Sequence, residues 1–419
     1  MRDLAVIGLG YAGLPLAREA AAAGLCVAGY DVNPRVVEGL NAGRSHVDDV
    51  SDHDVRAMFD AGFTATLDTA ALGTAHAVVI CVPTPLHADG SPDLTPVRRA
   101  TQTLAPYVGR GTLVVLESTT YPGTTDDVVR PVLERGTGLT AGTDFHLAFA
   151  PERIDPGNKG FGLRNTPKVV GGLMPCCAQA AAALYGKVCD TVVMAKGTRE
   201  AEMAKLLENT YRNVNIALVN ELAMVAHELD VDLWDAIACA ATKPFGFQPF
   251  HPGPGVGGHC IPVDPNYLIH QAHAAGSAVR LVELAQEINR GMPEYVVRRA
   301  AEVLGAGRSL RGVCVLLVGV TYKENVSDLR ETPARPIVRR LRAESANVTY
   351  HDPYVAGFTV DDEPVDRAAD VVRAAAAADL TILLQPHAAY DLDAIVAAAP
   401  LLLDARGCTH STHSGAELL

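Results

Sequence analysis

The run Val6-Ile7-Gly8-Leu9-Gly10-Tyr11-Ala12-Gly13 constrains this chain more than any other stretch. An apolar segment from Leu4 leads into it and a helical pattern follows, so a G-x-G-x-x-G falls between strand and helix. Gly8 permits the tight turn, Gly10 lets the backbone approach a pyrophosphate, and Gly13 allows close packing of helix on strand. Tyr11 and Ala12 complete the turn at the helix N-terminus, where unpaired N–H groups favour phosphate. Asp31 closes the second strand 18 residues after Gly13. A carboxylate there accepts both ribose hydroxyls and repels a 2′-phosphate, so NAD is the expected cofactor rather than NADP. Arg35, close by, speaks the other way.

Further strand-like runs recur at Ala77–Val82, Leu113–Leu116 and Phe145–Ala150, with helical stretches between them, and Lys168–Gly172 and Thr191–Met194 extend the series. Alternating apolar strands and helices predict a parallel, doubly wound α/β sheet. The pattern changes at Thr198, an N-cap candidate after Gly197. From there to Leu229 no Gly or Pro interrupts polar and apolar residues at helical spacing. A helix that long buries more than one face, which predicts a spine between domains and a homodimer surface. A Pro/Gly-rich loop, Pro244 to Pro265, and a helix from Ala278 to about Asn289 come next.

A second α/β unit begins near Leu310, with strands at Val313–Val318, Val348–His351, Leu380–Leu384 and, last, Leu401–Asp404, and helices at Pro333–Arg342 and Ala368–Ala377. It lacks the glycine fingerprint: Gly319 is followed by Val320-Thr321-Tyr322. The expected architecture is two Rossmann-like doubly wound domains joined by a long central helix. Its expected boundaries are 1–197 for the NAD-binding domain, 198–305 for the helical region with the cysteine loop, and 306–419 for the C-terminal domain. A length of 419 residues suits two or three domains.

The formal net charge is −13 and no run of five or six basic residues occurs, which speaks against a nucleic-acid partner or an anionic membrane. No uncharged apolar span reaches the roughly 18 residues a membrane helix needs. Nine cysteines, an odd number with no C-x-x-C pair, suit reduced thiols in the cytoplasm and no metal site.

Gly255-Val256-Gly257-Gly258-His259-Cys260-Ile261-Pro262-Val263-Asp264 is the second chemical signal. A cysteine in a glycine loop is open to approach, unlike the other eight, and its thiolate is a nucleophile. His259 suggests a dyad, but adjacent residues of an extended loop point apart. Lys205 and Asn209, four apart, share one helix face and together suit an alkoxide or oxyanion. Asp264, four residues past the cysteine, suits positioning water or accepting a proton. Plainer readings exist: Lys205 as a solvated charge, Asn209 as a packing amide, Glu152 as half of an ion pair with Arg153, Lys323 and Arg330 as surface loop charges.

Over essentially its whole length the chain resembles the UDP-glucose/GDP-mannose dehydrogenase family. The resemblance lies in the N-terminal glycine motif, Pro83-Thr84-Pro85, Glu117-Ser118-Thr119-Thr120, Ala150-Pro151-Glu152-Arg153, Lys205-Leu206-Leu207-Glu208-Asn209-Thr210-Tyr211-Arg212, the Cys260 loop, and Tyr322-Lys323 with Asp328-Leu329-Arg330. It implies a four-electron oxidation of a nucleotide sugar at C6 with two NAD, through a thiohemiacetal and then a thioester on Cys260. Lys205, Asn209 and Asp264 are then catalytic, Glu152 is the base for hydrolysis, and Thr119 helps to hold water. Cofactor contacts are implied at Pro83, Thr84, Thr119, Glu152 and Arg330. Substrate contacts are implied at Glu152, Arg153, Lys205, Asn209, Phe250, Gly255, Gly257 and Lys323, with an active site drawing on both domains.

Within the family, Thr242-Lys243-Pro244-Phe245-Gly246-Phe247 and Pro151-Glu152-Arg153-Ile154-Asp155-Pro156-Gly157-Asn158 resemble the UDP-N-acetylglucosamine 6-dehydrogenase branch. The UDP-glucose branch usually carries an arginine near the position of Phe245, absent here; UDP-glucose stays open as the alternative. A β-hydroxyacid dehydrogenase would need neither Cys260 nor a second α/β unit, and a non-catalytic NAD sensor would not need the reactive set.

Overall fold

The computed structural model describes residues 2–155, 157–158, 160–305, 308–409 and 416–419. Pro156 of the stretch quoted above, and the expected boundary at 305/306, touch residues outside that set. The described chain forms two compact units, one of residues up to Glu208 with Asn266–Ser277, the other of Asn209–Pro265 with Ala278–Leu419.

The first unit is built on eight strands: β1 (Arg2–Ile7), β2 (Val27–Tyr30), β3 (Thr64–Thr66), β4 (Ala75–Ile80), β5 (Leu113–Leu116), β6 (His146–Phe149), β7 (Lys168–Gly172) and β8 (Val192–Met194). They lie in the order β3-β2-β1-β4-β5-β6-β7-β8. The β1/β2 and β1/β4 pairs are parallel, with Leu4 opposite Val27 and Ala77. Strand interiors such as Val6, Val79, Val115 and Ala148 are fully buried, as expected of strands covered on both faces. The sheet is not wholly parallel: β7 runs antiparallel to β6. Among the described residues the connection from Phe149 to Lys168 forms no helix, and β7 pairs with β6 directly.

The second unit holds β9 (Cys314–Val318), β10 (Asn347–His351), β11 (Phe358–Val360), β12 (Glu363–Arg367), β13 (Leu380–Leu383), β14 (Leu402–Asp404) and β15 (Ala416–Leu418). Their order is β11-β12-β10-β9-β13-β14-β15, and among the described residues only the β11/β12 hairpin is antiparallel. Leu402–Asp404 is therefore not the last strand; β15 pairs parallel beside it.

The two sheets share a device at their switch points. Gly8, just after β1, has φ 91°, and a Cβ there would stand 2.6 Å from the Cys81 carbonyl oxygen after β4. Gly319, just after β9, has φ 77°, and a Cβ there would stand 2.5 Å from Gln385 Cβ after β13. Both positions need a backbone that only glycine adopts without strain. Asp31 at the end of β2 accepts the Leu9 and Asn33 N–H groups at 2.8 Å each. Asp352 after β10 accepts those of Val320 and Tyr354, also at 2.8 Å. The second half is a Rossmann-like unit without the phosphate-binding glycines.

Helix Thr198–Glu228 has 31 residues and carries the chain from one unit into the other. Helix Arg280–Val303 runs well past Asn289 and through Pro293. An internal proline costs about 3 kcal/mol. Here Met292, Tyr295, Val296, Val297 and Ala300 form a buried face that offsets it. Helix Asp264–Ala274 starts inside the region expected as loop.

Candidate active site

The glycine turn has the stereochemistry a dinucleotide needs. A Cβ on Gly13 would lie 1.9 Å from the Gly8 carbonyl oxygen, so helix and strand touch there, whereas a Cβ on Gly10 would meet nothing within 4 Å. Open space over Gly10, at the N-terminus of helix Gly13–Ala22, is where a pyrophosphate fits. Tyr11 and Ala12 are half-buried in the turn, and Arg35 is exposed on the first turn of helix Pro34–Asn41. Past β4, Pro83 is exposed and Thr84 is buried. These residues fit NAD.

Beyond the ends of β5, β6 and β7 lies a buried ionic cluster. Glu152 Oε1 accepts the N–H groups of Arg153 and Ile154, each at 2.6 Å. Lys168 stands 3.7 Å from Glu152 and 2.5 Å from Glu117, and Tyr185 donates to the second Glu117 oxygen at 2.5 Å. Burial pushes the Glu117 carboxyl up to about 7, opposed by Lys168 and reinforced by Glu152. Burial also raises Glu152, but Lys168, the neighbouring Glu117 carboxyl, the Ile154 N–H and Lys205 together hold it below the ordinary range. Thr119 is half-buried two residues past Glu117. The Arg153 guanidinium does not form the ion pair with Glu152; it bridges Glu208 at 2.7 Å. Lys205 is only 7% exposed, so it is not a solvated charge. Lys168 and Tyr185 escaped the sequence reading. The available signal was a lone lysine opening an apolar strand, which must be paired internally when the strand is buried.

In the second unit, Asn209 donates to Asp264 at 2.5 Å, with both side chains buried. Cys260 lies one turn before helix Asp264–Ala274, its carbonyl accepting the Asp264 N–H at 2.8 Å. A ladder of buried amides holds the loop around it. Asn213 reaches the Ile261 carbonyl at 3.3 Å, Gln286 the Pro262 carbonyl at 3.0 Å, and Asn220 accepts the Gly253 N–H at 2.9 Å. Asn220 and Asn289 are joined at 2.9 Å, which ties the long helix to Arg280–Val303. The ladder was also missed, although Asn209, Asn213 and Asn220 share a helical face by spacing alone.

Gly257 and Gly258 press on Tyr322, where a Cβ would come within 2.7 Å of its side chain; Gly255 has φ 124°. The Gly258 N–H donates to the Arg330 carbonyl at 3.0 Å, and the Arg330 guanidinium clasps Asp328 at 2.6 Å. Burial, with Arg330 adding to it, holds the His259 imidazole below its ordinary value. Lys323 is half-buried. Phe250 packs edge-on against Tyr211 at 5.8 Å, while Phe245 and Phe247 are exposed. Exposure does not single out Cys260, contrary to expectation: Cys26, Cys176, Cys239, Cys314 and Cys408 are exposed as well, since Cys26 and Cys408 lie outside the regular elements, Cys314 opens β9, and Cys176 and Cys239 lie on helices Pro175–Tyr185 and Leu233–Ala241. None of the nine forms a disulfide.

Among the described residues, no helix is long and apolar enough to cross a membrane. Three models of the UDP-glucose/GDP-mannose dehydrogenase family match the chain: the NAD binding domain over residues 2–189, the central domain over 199–291 and the UDP binding domain over 316–411. A UDP-N-acetyl-D-glucosamine 6-dehydrogenase of Pseudomonas aeruginosa is 38% identical over 360 residues, 85% of this chain and 84% of that protein. An NDP-N-acetyl-D-galactosaminuronic acid dehydrogenase of Ralstonia solanacearum is 35% identical over 415 residues, 97% and 96% of the two chains. The structure of a UDP-D-ManNAc dehydrogenase from Pyrococcus horikoshii superposes with a TM-score of 0.90 at 32% identity, covering 99% of this chain and 98% of that one. With the glycine turn, Asp31 and the reactive side chains already in view, the chain belongs to the UDP-glucose/GDP-mannose dehydrogenase family and is an NAD-dependent oxidoreductase acting on nucleotide sugars.

Proposed function

We propose that the protein oxidises C6 of UDP-N-acetylglucosamine from alcohol to carboxylate, through a thioester on Cys260. The observation that carries this reading is the buried Asn209–Asp264 pair one turn from Cys260. Bound NAD supplies what side chains lack, acceptance of a hydride from C6 at each of two oxidations. Asp264 takes the C6 hydroxyl proton, and Lys205 and Asn209 hold the resulting oxygen by charge and hydrogen bond. At the aldehyde level the Cys260 sulfur bonds to C6 and gives a thiohemiacetal; the second oxidation makes it a thioester. Glu152, with Thr119 holding water, then takes a water proton while the water oxygen bonds to C6. The C–S bond breaks and leaves the carboxylate and the Cys260 thiolate. Arg153, Phe250, Gly255, Gly257 and Lys323 are assigned to the nucleotide sugar, and Pro83, Thr84 and Arg330 to the cofactor side.

The sugar assignment rests on the Thr242–Phe247 stretch and on relatives whose names carry N-acetylated hexosamines, of gluco, galacto and manno configuration. UDP-glucose is the second reading. NADH formed per sugar consumed decides: two NADH from UDP-N-acetylglucosamine, faster than from UDP-glucose, is expected. One NADH per sugar rejects the four-electron course, and a faster UDP-glucose reaction reverses the sugar.

The same proposal covers organisation: a cytoplasmic homodimer, with a helical region at 198–305 between an NAD domain at 1–197 and a nucleotide-sugar domain at 306–419. Leu218, Leu222 and Val225 form an exposed apolar stripe at helical spacing on the long helix, continued by Leu229 just past its end, which supports pairing of two chains. Light scattering that returns the 44.1 kDa monomer mass rejects the dimer.

A further inference from the structure

The cluster beneath Glu152 leaves one buried carboxylate oxygen without a donor. Glu117 is fully buried, and its two oxygens are taken by the Lys168 ammonium and the Tyr185 hydroxyl. Glu152 Oε1 is taken by two backbone N–H groups. Its other oxygen, Oε2, is buried with no hydrogen-bond partner, although Lys168 lies 3.7 Å away. Lys168 is the ammonium that meets fully buried Glu117, and burial outweighs it, so the Glu117 carboxyl is the one that keeps a proton. Lys205 adds a second positive charge, but to Glu152, where it favours the anion. Cys81 after β4 and Cys189 after helix Pro175–Tyr185 are thiols that burial keeps protonated. A proton held by Glu117 gives Oε2 a donor.

We propose that Glu117 is a positioning residue for Glu152, a carboxyl that while neutral donates its hydrogen bond to the orphan Oε2 and holds Glu152 anionic, and that on ionising releases that hold and leaves Glu152 the stronger base. This rests on the reading of Glu152 as the hydrolytic base. In the forward step Glu152 takes the water proton; the carboxyl pair then carries one proton more and returns it to solvent before the next cycle. Lys168 and Tyr185 hold the two Glu117 oxygens, and Lys168 also lies 3.7 Å from Glu152, so the pair titrates as a unit. Once Glu117 ionises, its like charge makes Glu152 the stronger base, and hydrolysis accelerates through that titration.

The test is the decay of the Cys260 acyl-enzyme, followed by rapid quench and intact mass against pH in wild type, Glu117→Gln and Tyr185→Phe. The wild-type rate is expected to rise with a midpoint near 7, the value to which Glu117 is pushed. Glu117→Gln keeps an N–H donor to Oε2 but cannot titrate, so this limb disappears, while KM for NAD and sugar stays within about twofold. Tyr185→Phe removes a donor to the Glu117 anion and moves the midpoint up by about one pH unit, and it decides alone if the glutamine variant does not fold. Profiles that differ from wild type only by a constant factor overturn the proposal, because a purely structural role lowers the rate equally at every pH. Glu152→Gln separates the two readings. Wild-type hydrolysis in that variant removes Glu152 as base. A stalled acyl-enzyme, together with unshifted Glu117→Gln and Tyr185→Phe profiles, removes only the role of Glu117.

Discussion

Asp264 Oδ2 accepts the Asn209 side-chain amide at 2.5 Å, and both residues are buried. One amide hydrogen is thereby committed to the carboxylate, while the other remains for an oxygen developing charge on the substrate. Asn209→Asp replaces donor by acceptor and sets two carboxyl groups face to face. Stability should fall by about 1–3 kcal/mol. NADH formation should fall by about 100-fold or more, the scale of a lost oxyanion donor. Urea denaturation and initial rates measure the two effects separately; a wild-type rate in this variant removes the pair from the mechanism.

Cys260 is one of six exposed cysteines, so reactivity and not accessibility must distinguish it. Cys260→Ser should form no sugar acid while still binding NAD, because the thioester step has no sulfur. Cys26→Ser and Cys239→Ser should turn over within about twofold of wild type, as surface changes away from packed groups do little. Alkylation mapped by mass spectrometry, with and without nucleotide sugar, gives a second readout. Protection at Cys260 alone is expected, and equal protection at Cys239 would count against its assignment.

Much of this architecture was legible because it rests on short-range rules. The turn Gly8–Gly13 and Asp31 identified the first half from local spacing, and strands β5 and β7 match their sequence bounds residue for residue. What stayed hidden depends on partners distant in sequence. The reversed direction of β7 is set by its pairing with β6, which no pattern inside Lys168–Gly172 reveals. Helix Arg280–Val303 passes through Pro293 because its next turns face a core supplied mainly by residues after 310. At the site, residue types were readable but their pairing was not. Arg153 sits next to Glu152 in sequence, yet its partner is Glu208, and the partner of Glu117 is Lys168, 51 residues away.

Gly10 and Gly13 should fail in different ways. A Cβ on Gly10 meets nothing within 4 Å, so Gly10→Ala should fold with wild-type stability and lose NAD affinity by about tenfold or more, since the methyl occupies the pyrophosphate approach. A Cβ on Gly13 would lie 1.9 Å from the Gly8 carbonyl oxygen, so Gly13→Ala must push the helix off β1. Overpacking of that kind costs about 1–3 kcal/mol or more. Melting curves with and without NAD discriminate them. Equal Tm losses in the two variants would show that Gly10 is packed and not open to a ligand.

The buried Glu117 carboxyl also makes folding stability depend on pH, with a sign opposite to that of an ordinary salt-bridged acid. Its folded-state value is raised from the usual 4.5 to about 7 by burial, so the native state keeps a proton that the unfolded chain releases in this window. The stabilising contribution is complete below about 4.5 and is lost as pH rises toward 7, at up to about 1.4 kcal/mol per pH unit. Glu117→Gln cannot ionise and lacks this slope. The difference in unfolding free energy between variant and wild type should therefore move in favour of the variant between those two pH values, and then level off. Denaturant unfolding at four or five pH values across the window measures it. A difference that stays constant with pH would mean that Glu117 is ionised throughout the window, with Lys168 holding it so.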